Sequence, residues 1–263
     1  MSGKRRIPWI RIAAALLVGL AVTAEILVRG FSHSHGTPFW LRPDFGGVRS
    51  GVSYVYVART RDKLLMFDAG GDPEGTGIIE LLHLMNASPP EVSAIYLTHG
   101  HPDHVASVSL FKNARLWGGS GDARLVEGKT LSKRALPRLL SFMVENPPPS
   151  KLTDLLPANF RSPLSGWLTL QGWPAPGHTP GSFFYLLDGV LFVGDTLNLS
   201  GGVLSLGNPA FDDDTAEKER SVARVLQMLD GEKVDYIATG HGGVTQPNTA
   251  RRLLDDLKPR LRH

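Results

Sequence analysis

The 263-residue sequence contains no cysteine. That excludes disulfides, thiolate metal sites and a cysteine nucleophile, so any transition metal must sit on nitrogen and oxygen ligands. There is also little net charge to offer a polyanion. Residues 1–30 hold Lys4, Arg5, Arg6, Arg11 and Arg29 against Glu25, a balance of +4, so the formal +3 of the whole chain leaves −1 on the remaining 233 residues. No basic surface of the nucleic-acid-binding kind is implied, and no nucleic-acid partner is expected. No internal repeat of fixed period is visible, which sets solenoid architectures aside. A hydrophobic content of 42% in a chain of this length suffices for one large domain with a well-buried core.

The N-terminus has a basic run followed by an apolar stretch from Ile12 to Ala24. Its 13 residues match a signal-peptide core and fall short of a bilayer span. Two readings remain. Cleavage after Ala24 would make residues 1–30 a signal peptide; an uncleaved helix from about Ile7 to Val28 would make them a membrane anchor. Either places the catalytic part outside the cytoplasm, periplasmic or membrane-anchored, because the Lys/Arg cluster stays inside. A buried N-terminal helix is a third reading, made awkward by four basic residues with no evident partners. Residues 31–263 then form the catalytic domain.

Beyond the N-terminus, short β-rich runs alternate with helical patterns. Strands are expected at 52–58, 63–71, 93–99, 115–119, within 167–179 and at 234–243, with a hairpin over 182–196 turning at Asp188-Gly189. Helices are expected at 75–85, at 215–230 capped by Asp214 or Thr215, and at 249–261. Residues 126–166 stand apart as a candidate lid, with an amphipathic helix around 131–145 and apolar wall residues Leu139, Leu140, Phe142 and Met143. Asp68, His99, His178, Asp195 and His241 each lie at or just past the end of an apolar strand, where rigid scaffolds present chemistry.

Three of nine histidines and an aspartate fall within six residues, in "THGHPDH". On an extended segment residues i and i+2 point the same way, so His99 and His101 can hold one ion. Asp103 and His104 follow where Pro102 bends the chain, and can face a second ion. Imidazole with carboxylate and no thiolate suits zinc, and also iron or manganese. A lone His-x-His is weak by comparison: His33 and His35 read as an exposed linker, and His83 and His263 as ordinary surface or packing residues.

"THGHPDH" resembles the His-x-His-x-Asp-His signature of the metallo-β-lactamase-fold superfamily. The other signatures of that family have counterparts in order: "LLMFDAGG" with Asp68, "PGHTPGS" with His178, "LFVGDT" with Asp195 and "ATGHGG" with His241, spanning about residues 45 to 255. The resemblance implies an α/β fold, an αβ/βα four-layer sandwich of two mixed β-sheets flanked by helices. It implies that His99, His101 and His178 hold one metal, that Asp103, His104 and His241 hold the other, and that Asp195 bridges them. Asp68 would orient ligands by hydrogen bonds without binding metal.

By the same resemblance the chain is a zinc-dependent binuclear hydrolase. A metal-bridging hydroxide would attack an ester, thioester, lactone or amide, and Asp103 would orient it and shuttle a proton. The partner is a small-molecule substrate; a membrane enters only through an uncleaved N-terminal segment. Glyoxalase II proper is not expected, since only 22 residues follow His241. Asp195 argues against a true β-lactamase, although an export signal fits one, and His101 argues against the flavin-linked diiron relatives. The alternatives kept open are a mononuclear-iron persulfide dioxygenase, an exported β-lactamase and a non-catalytic binding protein.

Overall fold

A computed structural model describes residues 13, 14, 16–20, 23, 30, 32–135, 137, 138, 149–164 and 168–261. The expected sandwich is present. One sheet runs β1 (Phe39–Arg42), β2 (Phe45–Ser50), β3 (Ser53–Arg59), β4 (Leu64–Phe67), β5 (Val92–Tyr96), β6 (Arg115–Gly118) and β7 (Asp154–Leu155), in that spatial order. It is antiparallel as far as β4 and parallel beyond. The other runs β14 (Tyr236–Thr239), β11 (Val190–Gly194), β10 (Phe183–Leu187), β9 (Thr169–Pro174) and β8 (Phe160–Pro163), and only β11 and β14 pair in parallel. A separate hairpin joins β12 (Asn198–Ser200) to β13 (Val203–Ser205).

The layers follow from period-2 alternation in strands buried on both faces. In β4, Leu65 and Phe67 point between the sheets while Leu64 and Met66 point outward, against α1 (Thr76–Leu84) through Ile78, Leu81 and Leu82. In β10, Phe183, Tyr185 and Leu187 face the first sheet, while Phe184 and Leu186 meet Val222, Val225 and Leu254. Those three lie on two outer helices, α4 (Thr215–Met228) and α5 (Ala250–Leu257). The central layer is aromatic: Phe67 stacks on Phe192, and Tyr96 stacks on Trp117. Burying each such ring contributes roughly 1.5–3 kcal/mol to holding the sheets together.

Two buried tyrosine hydroxyls cross between the sheets. Tyr56 on β3 donates to the carbonyl of Thr239 at 2.9 Å, and Tyr185 on β10 donates to that of Leu97 at 2.6 Å. Each acceptor lies two residues before a histidine of the cluster described below.

Several expected segments sit differently. His33 and His35 do not form a free linker: Gly36 N donates to Arg49 O and Gly51 N to Ser34 O, and His33 lies 3.4 Å from the buried Asp72. Within 126–166, Leu152, Leu156 and Phe160 are buried and β7 and β8 are edge strands, so the C-terminal part of that stretch is sheet. Leu139, Leu140, Phe142 and Met143 lie outside the described residues, as does most of the segment 1–30. Among the described residues no helix is long and apolar enough to cross a membrane.

Candidate metal centre

The seven side chains come from loops at one edge of the sandwich. The first sheet delivers His99 and His101 in the loop after β5, and Asp103 and His104 on α2 (Pro102–Val105). His101 is the helix N-cap and Pro102 occupies N1, where its missing N–H costs nothing. The second sheet delivers His178 after β9, Asp195 after β11 and His241 after β14. Their ligand-type atoms fall into two groups, each within 4.8 Å: His99, His101, His178 and Asp195, and Asp103, His104, Asp195 and His241. Asp195 belongs to both. Gly240 lets it in, because a Cβ there would collide with Asp195 Oδ1.

The rings are held from behind. Asp68 ends β4 in the left-handed region, at φ 59°, with one carboxylate oxygen accepting from Thr98 N and the other from Thr98 Oγ1 and His104 Nδ1, at 2.7, 2.7 and 2.9 Å. His241 Nδ1 donates to Val52 O at 2.9 Å, and His101 Nε2 meets Ser132 Oγ at 2.8 Å. His178 Nδ1 donates to Asp212 Oδ1 at 3.2 Å. Such contacts leave one nitrogen of each ring facing the centre, as metal-binding imidazoles require.

Of the buried side-chain atoms without a hydrogen-bond partner among the described residues, three lie at this centre: His99 Nε2, His104 Nε2 and Asp195 Oδ1. Buried polar atoms rarely go unsatisfied, and ions held by the two groups would satisfy all three. The donor set, imidazole and carboxylate, fits zinc, iron or manganese.

Charge is unevenly distributed. Burial, then the imidazoles of His104 and His101, push the His99 pKa well down; burial, then His178, push His101 down to about 3. Both are therefore neutral, the form that binds metal. For His104, burial opposes the charge, but the carboxylates of Asp195, Asp68 and Asp103 outweigh it and raise the pKa well above the ordinary value. Asp195, followed in effect by Asp103, raises His241 to about 9 against the effect of burial. Burial pushes the Asp195 carboxyl up, but His241 and His104 overcome it and hold its pKa well below the usual range.

Four supporting residues escaped the sequence reading. Asp122, the N-cap of the short helix α3 (Ala123–Val126), accepts from Gly100 N, Gly181 N and Thr179 Oγ1 at 2.6–2.8 Å, clamping the loops of His101 and His178 together. Asp212 also accepts from the buried Lys218 Nζ at 2.6 Å, and that ammonium donates to Leu206 O as well. Ser132 completes the set. Its neighbours tie the same corner together, Lys133 N donating to Asp213 and Arg134 Nε to Asp212 O. The Asp212-Asp213-Asp214 run was a visible signal, but only its capping member was read.

A cavity of about 440 Å³ opens onto both groups. Besides His101, Asp103, His178, Asp195 and His241, it is lined by Val52, Pro102, Pro137, Leu197, Asn198, Gly207, Asn208 and Phe211.

Residues 46–241 match the family model of the metallo-beta-lactamase superfamily. The uncharacterized protein YobT of Bacillus subtilis is 28% identical over 203 residues, covering 71% of this chain and 82% of YobT. Hydroxyacylglutathione hydrolase of Aeromonas hydrophila is 30% identical over 163 residues, covering 60% of this chain; the chain spans about half of that enzyme, 52%. Among solved structures, BJP-1, a subclass B3 metallo-beta-lactamase of Bradyrhizobium japonicum, superposes with a TM-score of 0.62 at 21% identity, over 88% of this chain and 94% of that one.

Proposed function

The chain belongs to the metallo-β-lactamase superfamily, and on that premise we propose that it is a hydrolase working with two zinc ions on an ester, thioester, lactone or amide. The observation that carries this reading is the convergence of two ligand groups that share Asp195, in which His99 Nε2, His104 Nε2 and Asp195 Oδ1 are buried without a hydrogen bond. His99, His101, His178 and Asp195 would hold one ion, and Asp103, His104, His241 and Asp195 the other. Bound there, the ions would lower the pKa of water to about 7 and polarise the substrate oxygen.

The chain's own residues do the rest. Asp195 spans the groups: its Oδ2 lies 2.8 Å from His241 Nε2 and 3.8 Å from His178 Nε2, and its Oδ1 lies 3.4 Å from His104 Nε2. Asp103 faces the cavity, with Oδ2 3.4 Å from His241 Nε2, and can take a proton at that oxygen and pass it to the leaving group. Ser53 Oγ donates to the Asp103 carbonyl and fixes the start of α2. The second ligand group favours two ions over the single iron of a persulfide dioxygenase, and the full ligand set favours catalysis over simple binding. The relatives named as hydroxyacylglutathione hydrolases support hydrolysis of an acyl bond. We place the domain outside the cytoplasm, from the charge pattern of residues 1–30.

The test is elemental analysis of the purified chain with a panel of esters, lactones, thioesters and a chromogenic cephalosporin. Close to two ions per chain are expected, fewer in Asp195→Ala, with hydrolysis of at least one substrate. A wild-type chain that binds no metal overturns the reading.

A further inference from the structure

The cavity that opens onto the two ligand groups is walled by Val52, Leu197 and Phe211, with Pro102 and Pro137 completing the apolar surface. These come from separate parts of the chain: the β2–β3 turn, the loop after β11, the turn Pro209–Phe211, the start of α2 and the stretch after β6. Its polar lining outside the ligand groups consists of the two neutral amides, Asn198 and Asn208. At about 440 Å³ it is within the usual range for a small ligand, and its apolar wall is typical of sites that bind by burial with a few orienting groups.

Charge around the cavity points one way. Among the described residues no Lys or Arg lines it. Lys218, behind His178, is 1% exposed and spent on Asp212 and Leu206 O; Arg134 Nε is spent on the Asp212 carbonyl.

We infer that this cavity takes an uncharged ester or lactone with an apolar acyl group, and selects against acyl compounds that carry carboxylates or phosphates; the inference rests on the hydrolase reading above. An anionic substituent held against this wall, away from the ligand groups, would lose its hydration with no Lys or Arg among the described lining residues to replace it. An apolar acyl chain loses nothing on leaving water and gains contact with Val52, Leu197 and Phe211. In the reaction, water gives its hydroxyl to the acyl carbon and the acyl–oxygen bond breaks. The freed alkoxide oxygen takes a proton, and the acid product releases its own to solvent.

The experiment uses the full chain loaded with zinc. Turnover is measured on para-nitrophenyl butyrate and δ-decalactone as uncharged substrates, and on S-lactoylglutathione and a chromogenic cephalosporin as anionic ones. In parallel, calorimetry follows binding of an uncharged methyl ketone of matching chain length and of S-methylglutathione. The uncharged substrates should lead in kcat/KM by about tenfold or more, the size of one modest desolvation penalty. Their kcat/KM should not change with added sodium chloride. Asn198→Lys should narrow the gap by raising turnover of the anionic thioester. Turnover of S-lactoylglutathione or the cephalosporin at or above the uncharged pair overturns the inference and leaves the hydrolase reading standing. Preferential binding of the ketone with no turnover of any substrate overturns the hydrolase reading and supports the inference about the cavity.

Discussion

Lys218 keeps an ammonium almost wholly out of water, between Asp212 and the Leu206 carbonyl, one hydrogen bond away from His178. Lys218→Met leaves the Asp212 carboxylate buried without its cation, which should cost about 3–5 kcal/mol in urea unfolding. The His178 ring loses its anchor, so zinc affinity should fall roughly 10–100-fold in a competitive chelator titration. The double variant Asp212→Asn with Lys218→Met removes the stranded charge and should recover much of the stability but not the affinity. An unchanged titration in the single variant would remove the positioning role. A second prediction concerns pH. Without metal, Asp195 raises His241 from 6.5 to about 9 and His104 is raised as well. The stability these imidazoliums contribute is fully present below pH 6.5 and is lost as pH rises through about 9. An ion must displace the same protons, so its affinity rises across that window. The gap in Tm between loaded and chelated protein should therefore widen from pH 6.5 to 9 in scanning fluorimetry; a constant gap refutes the assignment. The seven clustered residues stood out in the sequence because each carries ligand chemistry and sits at a strand end or in the run that begins at His99. Asp122, Asp212, Lys218 and Ser132 did not, since their roles depend on neighbours brought close only by folding.

At the scale of elements, the most legible strands were those with a strong local signal. β10 and β11 flank Asp188-Gly189, whose positive φ values of 45° and 80° make the tight turn the dipeptide suggested. Asp214 caps α4 by accepting from Glu217 N at 2.9 Å, as its type and position implied. The unread strands lacked such signals or contradicted them. β2 is "FGGVRS" and β8 is "FRSP"; glycine and proline argue against strands locally, and only pairing within a sheet overrides them. The β12–β13 hairpin was legible in Gly201-Gly202 but went unread. The loops between elements depend on Asp122. Asp122→Ala strands the buried N–H groups of Gly100 and Gly181, at roughly 1–3 kcal/mol each. We expect a lower melting temperature with metal content reduced chiefly at the His99, His101 and His178 group, and partial rescue by Asp122→Asn, which keeps one acceptor. Full metal content at unchanged stability would show that the clamp is dispensable.

For the whole molecule, the prediction is export. Leu16, Leu17, Val18 and Leu20 are helical and 63–69% exposed, so this apolar segment is not packed into the domain core. A phosphatase reporter that is active only outside the cytoplasm, fused after Gly30, should be active; a cytoplasm-only reporter at the same junction should be silent. The reverse pattern refutes it. The division of the centre between two sheets, with Tyr56 and Tyr185 crossing from one to the other, sets a schedule during synthesis. The first sheet's strands emerge from the ribosome with His99, His101, Asp103 and His104 already in place along the chain. Neither ligand group can close at that stage, because one waits for His178 and both wait for Asp195, and the second needs His241 as well. On the proposed reading, metal loading would therefore wait until nearly the whole chain is made, and a chain stalled before residue 195 would lack a complete set of ligands for either proposed ion.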